Sequence, residues 1–280
     1  MVANLINGEQ VAREVRESIK KEVALLKKEQ SITPGLAIIV IRSPFARVHV
    51  ARLKERTCHQ LGIKCQIFYL PETTTDEEII HLIERLNRSK DVHGINIHPL
   101  TPHLDHTLIS QVVDYRKDVE GLHFLNMGNF LMGEHHMVNF VARGIMKLIE
   151  STGEDLEDKK AVIVGRSQLV GKPVSFLLIK KNATVSICHS QTPNLEVFTK
   201  KADLLVVAAG HPHTIRKNMV KEGAIVIDVG VNQVGTRLIG DVDHEEVEKV
   251  AKWVTPVPGG VGPVTIAMLL DNLVRAAKSQ

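Results

Sequence analysis

Apolar side chains recur at Val11, Val15, Ile19, Val23 and Leu26, a three-to-four spacing that predicts a helix over residues 9–29. Residues 36–41 (LAIIVI) are apolar without alternation, the pattern of a strand buried on both faces. A helical pattern runs from about 45 to 61, and Gly62 stands where it can cap the C-terminus. Residues 65–70 read as a second strand. Thr75 and Glu78 have the spacing of a capping box opening a helix over 79–86. Residues 92–97 give a third strand, and a third helix reaches about residue 113. From 115 to 138 the periodicity fails; the scattered glycines and His135-His136 predict a loop lining a cleft. A helix over 141–151 bridges to the second half. There, strands are predicted at 160–164, 183–188, 203–209 and 224–229, with a helix at 174–180 and a last one at 264–278.

Strands alternating with helices indicate parallel βαβ units and an α/β fold. At 280 residues the chain is long enough for two domains, and 44% apolar content supplies two cores. The expected organisation is two α/β domains with a cleft between them. Residues 1–140 form a substrate-handling and catalytic domain, on which the terminal helix 264–280 packs back. Residues 141–263 form a dinucleotide-binding domain. No internal repeat is evident.

The formal net charge of +3 argues against a nucleic-acid or anionic-membrane partner, because the basic residues are interspersed with acids. No apolar run approaches the ~20 residues that span a bilayer, and the first residues lack a signal-peptide pattern. Cys58, Cys65 and Cys188 form no CxxC and no metal-ligand spacing, which fits a reducing compartment. The cytoplasm is the expected location, although a matured organelle protein has the same composition.

The strand at 160–164 runs into Gly165-Arg166-Ser167 and then into a helix. A glycine there lets the chain turn sharply and approach a pyrophosphate, which the helix N-terminus attracts through free N–H groups. The spacing is not GxGxxG, so the strand–glycine–helix context carries the reading of a Rossmann-like, doubly wound parallel sheet. The next strand ends at His189-Ser190, where NAD-binding domains usually place an acid for the ribose 2′-hydroxyl. No acid is present, and Arg166 with Ser190 and His189 suits a 2′-phosphate, so NADP is the expected cofactor. A flavodoxin-like domain with an unrelated glycine turn is the alternative.

These motifs, with Ile227-Asp228-Val229-Gly230-Val231-Asn232, Gly240-Asp241-Val242 and the run Thr255 to Thr265 (TPVPGGVGPVT), resemble the bifunctional methylenetetrahydrofolate dehydrogenase/methenyltetrahydrofolate cyclohydrolase family. The first half matches more weakly, through Pro71-Glu72-Thr73-Thr74, Val92-His93-Gly94-Ile95 and Lys117-Asp118-Val119-Glu120-Gly121. The resemblance implies NADP-dependent oxidation of 5,10-methylenetetrahydrofolate, then hydrolysis of the methenyl product to 10-formyltetrahydrofolate, in a homodimer. It places a ring-opening lysine at Lys54 and the residue that modulates it at His98. It puts the pterin-gripping acid at Glu120 and cofactor contacts at Gly165, Arg166, Ser167, His189, Ser190 and Val231. It makes Pro258, Gly259, Gly260, Val261 and Gly262 a substrate-facing loop; a tight turn before the last helix is the plainer reading of these residues, and the two are compatible.

The sequence departs from the family in the folate half. Val50 replaces a tyrosine one turn before Lys54, His98 replaces a glutamine, Glu120 an aspartate, and Arg42 a glycine. Phe140-Val141-Ala142 stands for Cys-Thr-Pro. Without the resemblance Lys54 reads as an exposed helix lysine, and His98 as a structural histidine. His98, His103, His106 and Asp105 match no familiar metal site, and no metal is expected. The departures predict a dehydrogenase with weakened or absent ring opening. A repurposed family member acting on another one-carbon folate or a different substrate, and a non-catalytic nucleotide-binding protein, are the alternatives.

Overall fold

The computed structural model describes residues 2–42, 48–98, 101, 103–133 and 137–280. In chain order, β1 (Asn4–Leu5) and α1 (Gly8–Glu29) precede β2 (Gly35–Arg42), α2 (Val48–Leu61), β3 (Lys64–Pro71), α3 (Asp76–Arg88), β4 (Gly94–Ile97), α4 (His106–Val112) and α5 (Phe124–Leu131). Next come α6 (Phe140–Glu150), β5 (Lys160–Val164), α7 (Gly171–Ile179), β6 (Thr184–Cys188), α8 (Glu196–Thr199), β7 (Leu204–Val207) and β8 (Ile225–Asp228). The chain closes with β9 (Asn232–Val234), β10 (Arg237–Ile239), α9 (His244–Val247), β11 (Trp253–Val254) and α10 (Val261–Ser279). It forms two compact units. Residues 15–140 and 268–280 make one, and residues 1–14 and 141–267 the other.

The first unit is built on a parallel sheet of order β3-β2-β4. Successive side chains of a strand point to opposite faces, so the unbroken apolar run of β2 feeds two cores. Ile38 and Val40 pack with Ile19, Val23 and Leu26 of α1 and with Leu269, Leu270 and Leu273 of α10. Ile39 and Ile41 pack with Ile79 and Ile83 of α3 and Ile109 of α4. Each such buried side chain contributes roughly 1.5–3 kcal/mol. The capping box of α3 is formed, with Thr75 Oγ1 accepting from the Glu78 amide at 3.4 Å and Glu78 Oε2 from the Thr75 amide at 3.1 Å.

Residues 115–138 are not all loop. Helix α5 forms over Phe124–Leu131, burying Asn126 and Phe130 while Phe124, Leu131 and Met132 stay exposed. Apolar residues on both faces, and Gly128 in the middle, hide its period. His135-His136 and residues 45–47, the expected start of α2, lie outside the described residues.

The second unit carries a six-stranded parallel sheet, order β1-β11-β8-β7-β5-β6. Its first strand comes from residues assigned above to the other domain: β1 pairs with β11, and the Ala3 and Ile6 amides bond Glu248 O and Val254 O. Two residues are too few to show a period. A hairpin of β9 and β10 is likewise absent from the sequence reading. Chain order reverses around β5, which lies between β6 and β7. The C-terminal ends of β5 and β7 therefore flank a topological switch point, where open α/β sheets bind ligands.

Candidate active site

At the switch point, Gly165 follows β5 with φ +135°, and a Cβ there would collide with Ala208 O, just past β7. Only glycine lets these two strand ends approach so closely. Gly171 opens α7, and a Cβ on it would run into Gly165 O, so the helix start is folded tightly onto the turn. Inside the turn, Ser167 Oγ accepts from the Val170 amide at 3.1 Å and Ser167 O from the Lys172 amide at 3.1 Å. Arg166 and Ser167 are exposed.

The end of β6 lies beside this turn, because the Gly165 amide donates to Cys188 O at 2.8 Å. The following bend is pinned by the His189 amide on Thr192 Oγ1 (2.9 Å) and by His189 Nδ1 accepting from the Gln191 amide (3.2 Å). That leaves Ser190 exposed and His189 half-buried. The donor set fits a dinucleotide: a glycine turn, a helix N-terminus, a hydroxyl and a guanidinium, with no acid to repel a 2′-phosphate. Val231, 40% exposed, follows β8 in the same unit.

Below the β8 exit, Asp228 Oδ1 accepts the amides of Gly230 (2.9 Å) and Asp241 (3.0 Å), and its Oδ2 that of Val242 (3.0 Å). Burial pushes this carboxyl up to about 6, outweighing the three N–H bonds. Asp241 in turn accepts from the Ala209 and Gly210 amides and from Asn232 Nδ2. Both acids fix loops.

The run 258–262 divides between turn and helix. Pro258 is exposed, Gly259 has φ +100°, and Gly260 is buried against Pro256 O, which a Cβ would meet at 2.5 Å. Val261 and Gly262 already belong to α10, which starts earlier than the sequence reading expects. Pro263 is compatible because its missing N–H falls in the first turn.

In the first unit, Lys54 is not the exposed helix lysine of the plain reading. It projects from α2 and is only 6% exposed. Its Nζ donates to Asn96 Oδ1 at 2.7 Å, and Asn96 Nδ2 donates to Glu120 Oε1 at 2.7 Å. The Ile97 amide donates to the same oxygen at 2.7 Å. Burial pulls the Lys54 amine down, an effect the Glu120 charge opposes, and pushes the Glu120 carboxyl up, an effect Lys54 opposes.

Glu120 is aimed by the turn that holds it. Lys117 Nζ caps the end of α3 on the carbonyls of Leu86, Asn87 and Ser89. Asp118 accepts from the Gly121 and His123 amides and from Asn126 Nδ2. Gly121, at φ +70°, has no room for a Cβ against Asn139 N at 2.5 Å.

Val50 is half-buried one helical turn before Lys54 and offers no polar atom. His98 is buried at the end of β4, its amide bonded to Ile39 O at 2.8 Å. The polar group that reaches Lys54 is Asn96, a residue the sequence reading passed over. A lone amide inside Gly94-Ile95-Asn96-Ile97 was its signal. Arg42 ends β2 with its guanidinium 4.8 Å from the centre of the Tyr69 ring. His103 and His106 contact Thr74 O and Thr101 O, and Asp105 caps α4.

A parallel sheet with a glycine turn at its switch point, and another α/β unit carrying a buried, hydrogen-bonded lysine, define a dinucleotide-dependent enzyme. The model of the tetrahydrofolate dehydrogenase/cyclohydrolase NAD(P)-binding domain matches residues 140–280, and that of the catalytic domain matches residues 6–120. The bifunctional protein FolD of Brevibacillus brevis is 45% identical over 282 residues, spanning 100% of this chain and 99% of the relative. The bifunctional FolD methylenetetrahydrofolate dehydrogenase/cyclohydrolase of Campylobacter jejuni superposes with TM-score 0.95 at 40% identity, over 99% of both chains. The Trypanosoma brucei methylenetetrahydrofolate dehydrogenase-cyclohydrolase, solved with NADP and an inhibitor, gives TM-score 0.96 at 34% identity, over 100% of this chain and 98% of that one. The chain belongs to the tetrahydrofolate dehydrogenase/cyclohydrolase family.

Proposed function

We propose that the protein oxidises 5,10-methylenetetrahydrofolate with NADP and opens the methenyl product to 10-formyltetrahydrofolate more slowly. The observation carrying this reading is the intact glycine turn of the family's NAD(P)-binding domain in a chain that also keeps a buried Lys54. When bound, NADP supplies the nicotinamide ring that takes up the hydride. Gly165 and Ser167 would hold its pyrophosphate, Arg166, His189 and Ser190 its 2′-phosphate, and Val231 would line the same pocket. Pro258 to Gly262 would border the substrate.

On the folate side, Glu120 offers the pterin an acceptor. Its Oε1 is occupied by Asn96 and Ile97, while Oε2 has no protein partner among the described residues. Ring opening adds water to the methenyl carbon and moves a proton to the departing ring nitrogen. An amine whose pKa is pulled down by burial can take a proton from the water and pass it to that nitrogen as the carbon–nitrogen bond breaks, while the second water proton leaves to solvent as the formyl C=O forms. Lys54 is that amine. Val50 supplies no hydroxyl to steady it, which slows the step. His98, just past the end of β4, is a second titratable group in this unit.

The protein is further proposed to be a cytoplasmic homodimer. No helix among the described residues is long and apolar enough to cross a membrane, and the three cysteines are free. Strand β6 is a sheet edge, and Ile187 on it, with Phe176 and Ile179 of α7, is exposed. An unpaired edge beside apolar side chains favours pairing with a second copy.

The test is turnover by the purified protein with 5,10-methylenetetrahydrofolate and NADP. The methenyl absorbance should rise before the formyl product forms. No absorbance change at high enzyme concentration would end the proposal.

A further inference from the structure

The side-chain chain Lys54–Asn96–Glu120 contains one member to which neither the sequence motifs nor the proposed chemistry gives a task. Asn96 is 2% exposed in the middle of β4, between Ile95 and Ile97. Burying an amide in so apolar a strand is unfavourable unless both its ends are bonded. Its carbonyl and its amino group are each satisfied by an ionisable side chain. An ammonium only donates and a carboxylate only accepts, so the amide has one workable orientation, Oδ1 toward Lys54 and Nδ2 toward Glu120.

We propose that Asn96 is a positioning residue for ring opening: its amide tethers the Lys54 amine while holding it one amide's width away from the Glu120 carboxylate. This rests on the reading of Lys54 as the proton carrier. A buried lysine in direct contact with a carboxylate would be locked as an ion pair, with the proton held on the amine. A neutral amide between the two keeps both in place and weakens that lock, because the attraction falls with distance. Burial can then bring the amine toward the range where it exchanges protons with water.

The surroundings support a one-anion arrangement. Among the described residues, the titratable groups facing Lys54 are Glu120, Cys58 on its own helix α2, and Cys65 on β3; Asp118 faces Glu120. Donation of its S–H to Cys65, together with burial, pushes the Cys58 thiol far up, so it stays neutral. Glu120 is therefore the nearby charge that the amide has to moderate. Val50, on the same face of α2, offers no competing tether.

The experiment compares wild type, Asn96→Asp and Asn96→Leu by the pH profile of ring opening and by NMR titration of lysine side chains, with Lys54→Arg assigning the Lys54 resonance. In wild type, the Lys54 resonance should titrate below the other lysines. Asn96→Asp places an anion against the amine, and both the ring-opening inflection and the Lys54 titration should move up by about one pH unit or more. Asn96→Leu removes the tether at similar volume. The ratio of ring-opening kcat to hydride-transfer kcat should fall about tenfold, with less change in KM. An Asn96→Asp titration superimposable on wild type, or a parallel loss of both activities in Asn96→Leu, would overturn the proposal. Loss of ring opening in Lys54→Met alongside an unmoved Asn96→Asp profile would sink the role of Asn96 alone; persistence of ring opening in Lys54→Met would sink the reading it rests on.

Discussion

The Asp241 amide donates to Asp228 Oδ1 at 3.0 Å, so the buried carboxylate of one acid holds the backbone of the other. Asp241 then grips the Ala209 and Gly210 amides, and the exits of β7 and β8 become one latch. The latch has a pH signature. Burial raises Asp228 from 3.8 to about 6 in the folded chain, so between those values the native state holds a proton that the unfolded state has released. Its contribution to stability is complete below the unfolded pKa and is lost as pH rises toward 6, by on the order of 3 kcal/mol at most. Asp228→Asn presents an NH₂ to one of the three amide donors and should unfold more easily at pH 4, by about 1–3 kcal/mol. Urea denaturation from pH 4 to 7 reads the difference: wild type minus variant should shrink as pH rises, and a constant difference would contradict it.

Gly165→Ala tests the turn. The variant must place a Cβ against Ala208 O from a backbone at φ +135°. It should lose on the order of 2–4 kcal/mol of stability and bind NADPH more weakly at temperatures where it remains folded. Thermal unfolding with and without NADPH measures both. A variant as stable and as well saturated as wild type would show that the turn is not under this constraint.

Arg166→Ala tests cofactor choice. A charge-assisted hydrogen bond to a phosphate is worth about 1.5–3 kcal/mol, so NADP affinity should drop roughly 10- to 100-fold. NAD has no 2′-phosphate and should change by only about 3-fold or less, within the range of a lost exposed contact. Calorimetric titration with each nucleotide checks it, and equal losses for both would remove Arg166 from the 2′-phosphate site.

Much of this arrangement is legible along the chain, and the limits have physical causes. The apolar runs of β2 and β5 and the Thr75–Glu78 box are local signals, strong enough to place most elements within a few residues. Gly165 is legible because strand, turn and helix follow one another in sequence. β1 and β11 are two-residue strands defined only by partners far along the chain, so no local pattern marks them. Helix α5 hides because Phe124, Leu131 and Met132 remain exposed and blur the apolar face. Asn96 escapes for a different reason. Its partners lie 42 and 24 residues away, and an asparagine in a four-residue strand reveals neither until the strand is docked. The resemblance identifies Lys54 and Glu120, but the residue that joins them, Asn96, shows itself only in the folded chain.

Lys54→Met gives the most direct test of the division of labour proposed for the two steps. It keeps the side chain's bulk and removes the amine, and the two activities are followed in one reaction by the rise and decay of the methenyl absorbance. The account predicts that this intermediate still forms with NADP but then persists, with the ratio of ring opening to oxidation lowered by about 100-fold or more. A variant whose intermediate decays at the wild-type rate would contradict it.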